Sequence, residues 1–183
     1  MALCNSLETI VKSCDNNMGG IQSIWLWDME DKLTGTNSVF DTATWTWTAY
    51  SVNGIGGTAT PTNFTFIRNS SNYVEDTNID LSNGSTYVTA TLTLIFTRRE
   101  ALKSKAIKVL GEGQRYLGAL VLDSNNLYWI FEDLQVSATG EGSGTAKADG
   151  SKYSVTLIGE NLDLAGEISA ADAADLIANG FFV

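Results

Sequence analysis

The chain contains no histidine at all. That absence removes Ser-His and Cys-His nucleophile systems, histidine-bearing zinc sites and the commonest general base, so the usual hydrolase designs are excluded. Cysteine is almost as scarce, with Cys4 and Cys14 alone. No basic region followed by an apolar stretch opens the sequence, so the two thiols read as reduced packing residues rather than a disulfide framework. Cations are few: 11 basic against 21 acidic residues leave a formal charge of −10, which argues against a grip on nucleic acid built by phosphate neutralisation. No apolar run approaches the roughly 18 residues of a membrane helix, so a soluble, intracellularly made chain without membrane association is expected. The one proline, Pro61, lies in the loop "NGIGGTATPT".

What remains suits a folded globular protein. Of 183 residues 44% are hydrophobic and 17% charged, with five Trp, six Tyr and seven Phe to fill a core. That length fits a single domain, residues 1–183. Six of the eleven cations, Arg98, Arg99, Lys103, Lys105, Lys108 and Arg115, fall between residues 98 and 115. The rest of the chain is therefore more acidic than the total indicates, and the cluster reads as a patch that meets an acidic surface on another copy.

Period-two alternation dominates. "STYVTATLTLIFTRR", Ser85 to Arg99, sets Val88, Ala90, Leu92, Leu94 and Phe96 against Tyr87, Thr89, Thr91, Thr93, Ile95 and Thr97, an apolar face and a hydroxylated one. "NFTFIRNSSNYVEDTNIDL" precedes it across "SNG", the chemistry of a tight reversal. Together they predict a long hairpin over about 64–98, half of which projects beyond the domain, because fifteen residues at ~3.3 Å span about 50 Å. "IQSIWLWDM" and "DTATWTWTAY" are further strands, the second running through Trp45 and Trp47. "REALKSKAIKVLG" changes to helical period: a helix over about 99–110 presents Leu102, Ala106, Val109 and Leu110 on its apolar face and ends at Gly111.

After the helix come "YLGALVLD", a "SNN" turn, "LYWIFEDLQVSAT", the loop "GEGSGTAKADGS" and "KYSVTLIGE". Strands, one helix, then strands predict a mainly β fold, a β-sandwich or rolled barrel with one packed α-helix and the long hairpin. Residues 1–20 and 162–183 read as terminal arms. The first carries a short helix from Asn5; the second carries an N-cap at Ser169, a stop at Gly180 and exposed Phe181 and Phe182 that dock on their own domain or a neighbour.

The remaining chemistry is thin. Glu30-Asp31, Glu75-Asp76 and Glu132-Asp133 are adjacent carboxylates, and adjacent strand residues point to opposite faces, so none forms a two-carboxylate site alone. "DSNNLYW" lacks the spaced acids of a calcium loop and reads as a β-turn. "GEGQRYLG" and "GEGSGTAKADG" lack the Lys-Ser/Thr of a phosphate loop. No catalytic residue, metal ligand or cofactor is expected, and the chain does not read as an enzyme.

"GQRYLGALVLDSNNLYWIF" followed by "GTAKADGSKYSVTLIGEN", residues 114 to 161, resembles the C-terminal half of tail tube proteins of tailed bacteriophages: a strand ending in Asp, an Asn-rich turn, an aromatic strand, a glycine-rich loop and a final "VTLIGE" strand. The resemblance implies a structural virion protein, a subunit of a tail tube that forms the channel for genome ejection. It also implies homo-oligomeric rings, usually hexameric, whose sheets join across subunits around a lumen, and which stack through hairpin, loops and arms. Partners are then further copies, other tail or neck proteins, and double-stranded DNA passing the lumen without specific binding; a negative balance suits that passage.

On this reading the inter-subunit or lumen candidates are Tyr87, Thr89, Thr91 and Thr93 on the hydroxyl face, Arg98, Arg99 and Lys103 in the cationic cluster, Glu75 and Asp76, and Phe181 and Phe182. Short-tailed phages place similar folds in neck or tail rings, an alternative position in the virion. A carbohydrate-binding or adhesion module is the competing function, motivated by Trp25, Trp27, Trp45, Trp47, Tyr128 and Trp129.

Overall fold

The computed structural model describes residues 10, 17–32, 38–52, 60–66, 70–146 and 149–182. Cys4, Cys14, the helix from Asn5 and most of the loop before Pro61 lie outside them. The described chain is mainly β, with strands β1 (Ile21–Asp28), β2 (Val39–Asp41), β3 (Thr46–Ser51), β4 (Thr62–Phe64), β5 (Asn72–Asp80), β6 (Ser85–Thr97), β7 (Leu117–Asp123), β8 (Tyr128–Gly142), β9 (Lys152–Asn161), β10 (Gly166–Ile168) and β11 (Phe181–Phe182). Two α-helices complete it, α1 (Ala101–Gly111) between β6 and β7 and α2 (Ala170–Asn179) between β10 and β11.

The fifteen-residue β8 organises the architecture by belonging to two sheets. Its first half pairs antiparallel with β7 through Leu134 and with β10 through Ile130, in a sheet ordered β11-β3-β10-β8-β7-β1-β4. Its second half, from Gln135, pairs with β9, which pairs with β6, which pairs with β5. Asp133, at φ 53°, stands at the crossover, where the register of β8 against β7 slips between Leu117 and Ala119. An extra residue in one strand bends it and sharpens its twist, which turns β8 out of one sheet and into the next.

Between the two sheets lies the larger core, filled by Ile24 and Leu26 of β1, Leu92 and Leu94 of β6, Phe131 and Leu134 of β8, Val155 and Leu157 of β9, and Ile107 of α1. The other face of the first sheet carries a second core, where Trp27, Tyr50, Leu120, Ile130 and Ile168 meet Ala173 and Leu176 of α2 and Phe182 of β11. Trp27 fits there because its cross-strand neighbour is Gly118: a Cβ at that position would collide with the indole Nε1. The first sheet is thus covered on both faces.

Several expectations change. Residues 162–183 do not form an arm: Ser169 Oγ caps α2 by accepting from Asp172 N–H at 3.2 Å, Gly180 at φ 78° ends it, and β11 pairs with β3. Burial of Leu176 and Phe182 is what holds this tail in the domain. The run through Trp45 is not one strand, since Trp45 at φ 60° ends a turn between β2 and β3. The hairpin spans β5 and β6 only, and Thr62–Phe64 pairs with β1 instead. Nor does half of it project: β9 accompanies β6 from Val88 to Thr97, leaving only Ser85–Tyr87, their β5 partners and the turn beyond it.

Helix α1 lies rolled relative to the sequence expectation. Ile107 is its fully buried residue and Leu110 packs partly buried against the larger core as expected, whereas Leu102 is 82% exposed and Val109 41%. Polar anchors decide the roll: Lys103 Nζ donates to Thr97 O at 2.8 Å, and Ser104 Oγ shares a 2.7 Å hydrogen bond with Tyr153 Oη. The helix does end at Gly111, but as its last right-handed residue rather than a left-handed cap; the left-handed glycine is Gly113, at φ 75°.

Candidate self-assembly surface

The second sheet, β5-β6-β9-β8, has one covered face and one bare one. On β6 the even-numbered side chains from Val88 to Phe96 are at most 6% exposed, while Thr89, Thr91, Thr93 and Thr97 are half-buried on the other side. Register carries that outer face across the sheet. Thr89 lies opposite Asp76 on β5 and Glu160 on β9; Thr91 opposite Val74 and Ile158; Thr93 opposite Asn72 and Thr156. Ser154, Lys152, Ala138 and Gly140 continue it. Among the described residues only the segment at Gln114 touches it, its O accepting from Gln135 Nε2 at 2.9 Å at one corner; the rest is a surface of hydroxyls and small side chains with Val74, Ile158, Asp76, Glu160 and Lys152 among them.

Both edges of this sheet are open. β5 pairs with β6 along one side, and no described strand pairs with its other side; the same holds for β8 from Ser137 to Gly142, whose described partner is β9 alone. Residues Ser137–Gly142 are exposed throughout. Unpaired strand edges are templates for another strand, and proteins ordinarily blunt them. Here the two edges flank the same sheet, on opposite sides.

The remaining candidates distribute as follows. Tyr87 is 39% exposed at the hairpin end of the hydroxyl face, with Asn78 as its cross-strand partner. Asn78 Nδ2 donates to Thr89 Oγ1 at 2.9 Å, tying the two strands on that face. Asp76 shares the outer surface, but Glu75 points to the inner side, where its Oε1 accepts from Ala165 N–H at 2.7 Å. Burial raises the Glu75 carboxyl above its ordinary value, the backbone hydrogen bond opposing it. Glu75 is therefore a latch between β5 and the segment entering β10, not a surface group. Phe182 is likewise core, 4% exposed, while Phe181 beside it is 44% exposed.

Most of the cationic cluster is locally paired. Arg98 Nε reaches Glu100 at 3.2 Å, Arg99 Nη2 reaches Glu141 at 2.6 Å, Lys103 Nζ lies 3.7 Å from Glu100, and Arg115 Nη1 lies 3.2 Å from Asp28. These surface pairs weaken the field the sequence suggested, although each is worth at most about 1 kcal/mol. Lys105 has no ion pair among the described residues.

Two of the three loops singled out in the sequence are turns closed by a single aspartate each. Asp123, 5% exposed, accepts through Oδ1 from Asn125 N–H at 2.8 Å and Leu127 N–H at 3.0 Å, and through Oδ2 from Trp129 Nε1 at 3.3 Å. Asp149 Oδ2 accepts from Thr145 N–H and Oγ1 at 3.0 Å and from Ala146 N–H at 2.8 Å, which holds its carboxyl below the usual range. Each carboxylate satisfies several backbone donors of its own turn.

The six aromatics proposed as a sugar platform do not share one surface. Trp27 and Trp47 pack against Tyr50 in the second core, at centroid distances of 5.7 and 4.9 Å. Trp45 packs edge-on to Phe40 at 5.4 Å, and Trp25 lies 6.5 Å from Tyr128. Beside them Lys32 ion-pairs with Glu132, which also accepts from Tyr50 Oη at 2.6 Å. Burial first, then the Glu132 charge, holds the Tyr50 phenol well above its ordinary pKa. That group of residues joins the turn after β1 to β3 and β8.

Sequence reasoning expected sheets to join across subunits but did not say which strands carry the open edges. Hydrophobic alternation reports faces and is silent on which strand lies beside which. No protein-family model and no curated protein matches the chain. Among solved structures the chain is similar to Hcp1 from Salmonella typhimurium, at 13% identity and a TM-score of 0.40 over 82% of this chain and 100% of that chain.

Proposed function

We propose that this chain is a non-enzymatic structural subunit that closes into rings by joining the β5 edge of one copy to the β8 edge of the next. The rings stack into a tube, the tail tube of a bacteriophage virion, through which the genome is ejected. The observation that carries this reading is the sheet β5-β6-β9-β8, open at both edges and bare on one hydroxylated face. Edge-to-edge pairing of unlike edges is heterologous and closes into a ring when the rotation permits. It satisfies the unpaired backbone groups and leaves the Thr face lining a channel.

The dimensions suit such a channel. Six copies contributing four strands each, at about 4.8 Å per strand, give a backbone diameter of at least ~37 Å, enlarged further by strand tilt. Short hydroxyls with few cations, together with the charge of −10, let a polyanion pass without being held. The likeness of residues 114–161 to tail tube proteins supports the phage assignment, and the absence of histidine supports the non-enzymatic one.

Light scattering with negative-stain microscopy of the purified protein tests the reading. Rings of uniform mass, and tubes at higher concentration, are the expected result. A strictly monomeric species at high concentration and across salt conditions refutes it.

A further inference from the structure

Strain and concavity coincide where β8 crosses from one sheet to the other. Of the five non-glycine residues that hold positive φ among the described residues, two, Gln114 at 50° and Asp133 at 53°, line one cleft there. Backbone in that region persists only where its surroundings over-determine it, and it gathers at binding sites. The surroundings here are cross-ties: Gln135 Nε2 donates to Gln114 O at 2.9 Å, Met29 N–H to Tyr116 O at 2.9 Å, and Asn161 Nδ2 to Glu132 O at 3.0 Å.

Two clefts adjoin at Tyr116 and Asp133. One, about 450 Å³ in volume, is completed by Gln135, Ile158 and Glu160; the other, about 630 Å³, holds Glu30 and Gln114. Tyr116 stands between them 54% exposed, although its backbone is pinned. A ring held out on a fixed backbone is a platform that costs little entropy to use. Ile158, 37% exposed, extends the apolar surface of the first cleft.

The polar groups around that platform accept more than they donate. No described residue donates a hydrogen bond to the carboxylate of Asp133 or of Glu160, and Gln135, one amide N–H of which goes to Gln114 O, keeps its Oε1. A matching ligand has an apolar face for the ring and Ile158 and several donors along its edge. A sugar ring has both, with C–H groups on its face and hydroxyls around its rim. A small cation would meet the carboxylates and leave the ring and Ile158 uncovered.

We propose that the cleft around Tyr116 is a saccharide-binding site, in which a sugar ring stacks on Tyr116 and its hydroxyls donate to Asp133, Glu160 and Gln135 Oε1. The second cleft, across Tyr116, gives room for the next ring of an oligosaccharide. This site is separate from the six aromatics that the sequence suggested as a platform; Tyr116 comes from the loop "GEGQRYLG". It stands independently of the ring reading, because none of these residues belongs to the open edge of β8 from Ser137 to Gly142.

Saturation-transfer NMR of the purified full-length chain tests it, with cellobiose, maltose, lactose and N,N′-diacetylchitobiose as the sugars and spermidine as the cationic probe. At least one disaccharide should receive saturation, strongest at its ring C–H protons. Tyr116→Ala should weaken that binding about tenfold or more, while Tyr116→Phe, which keeps the platform, should stay within about twofold. Asp133→Asn keeps a residue that tolerates left-handed backbone and should weaken binding about fivefold by removing a charged acceptor. No transfer to any of the four sugars overturns the proposal, and so does wild-type affinity in Tyr116→Ala. Saturation of spermidine alone overturns it as well and makes the cleft a cation site. Rings of unchanged mass in Tyr116→Ala keep this outcome distinct from that of the ring reading.

Discussion

Strands β1 and β6 are written alike and used differently. Each alternates two kinds of side chain, Trp against Ile and Leu in β1, Thr against Val, Leu and Phe in β6. β1 sits inside a sheet covered on both sides, so its Ile24 and Leu26 face one core and Trp27 the other. β6 is also an inner strand, yet its Thr face meets no described element. The difference lies in what the two faces are made of. An indole face removes enough apolar area from water to recruit α2 and β11 as a cover, about 25 cal/mol per Å² buried, while a threonine face gains little from being covered. The Thr face is thereby left bare among the described residues.

Substitutions on the two faces should break this comparison in a graded way. The largest effect is expected for Leu92→Asp, which puts an unpaired charge at a fully buried site of the shared core. It should cost more than about 4 kcal/mol and yield no cooperatively folded protein by circular dichroism and urea titration. If that variant folds and assembles normally, the assignment of faces is wrong. Next comes Leu176→Ala in α2, where a cavity in the second core should cost ~2–5 kcal/mol. A change below ~1 kcal/mol in urea titration would mean that the C-terminal segment is an arm after all.

Tyr50→Phe should cost roughly 1–2 kcal/mol, because it withdraws a donor from the half-buried Glu132 and leaves Lys32 as its partner. Thr91→Asp, on the bare face, should change monomer stability by no more than about 0.5 kcal/mol. If the proposed ring forms, it should nevertheless impair assembly, since it would set one carboxylate per copy around the channel. Equal effects of Thr91→Asp and Leu92→Asp on the melting temperature would erase the distinction between the faces.

The smallest effect is that of Glu75→Gln, and it is a matter of pH. The folded-state pKa of Glu75 is raised by burial, so the protonated form favours the fold: its contribution is full below the ordinary carboxylate range and lost as pH rises through the folded value. Glutamine keeps an acceptor for Ala165 N–H without the charge. The variant should match the wild type at acid pH and melt slightly higher at neutral pH. A gap that widens on acidification would contradict the burial of this carboxylate.

Much of the fold was legible because side-chain period is local. The alternation in β6, the turn chemistry at Asp80–Gly84 and the capping of α2 by Ser169 with Gly180 all depend on a few neighbouring residues. The roll of α1 was not. Leu102, Ala106, Val109 and Leu110 form the better apolar stripe, but the helix buries Ile107 with only Leu110 of that stripe, because Lys103 is tied to nearby Thr97 O and Ser104 to Tyr153 Oη, 49 residues away on another strand. Glu75 and Asp76 read as a pair and serve opposite faces; Phe181 and Phe182 read as a docking tail and split between surface and core.

By itself, the sequence determined that this protein is β-rich, acidic and without histidine chemistry, and it marked which side of each long strand is apolar, since composition and period act residue by residue. Only the tertiary structure decided which strands became neighbours, which edges stayed unpaired and which residues of the α1 stripe, Leu102 and Val109, stayed exposed. Those outcomes follow from long-range pairing, where β8 bends at Asp133 to leave one sheet for another, and no local pattern encodes where a strand crosses over.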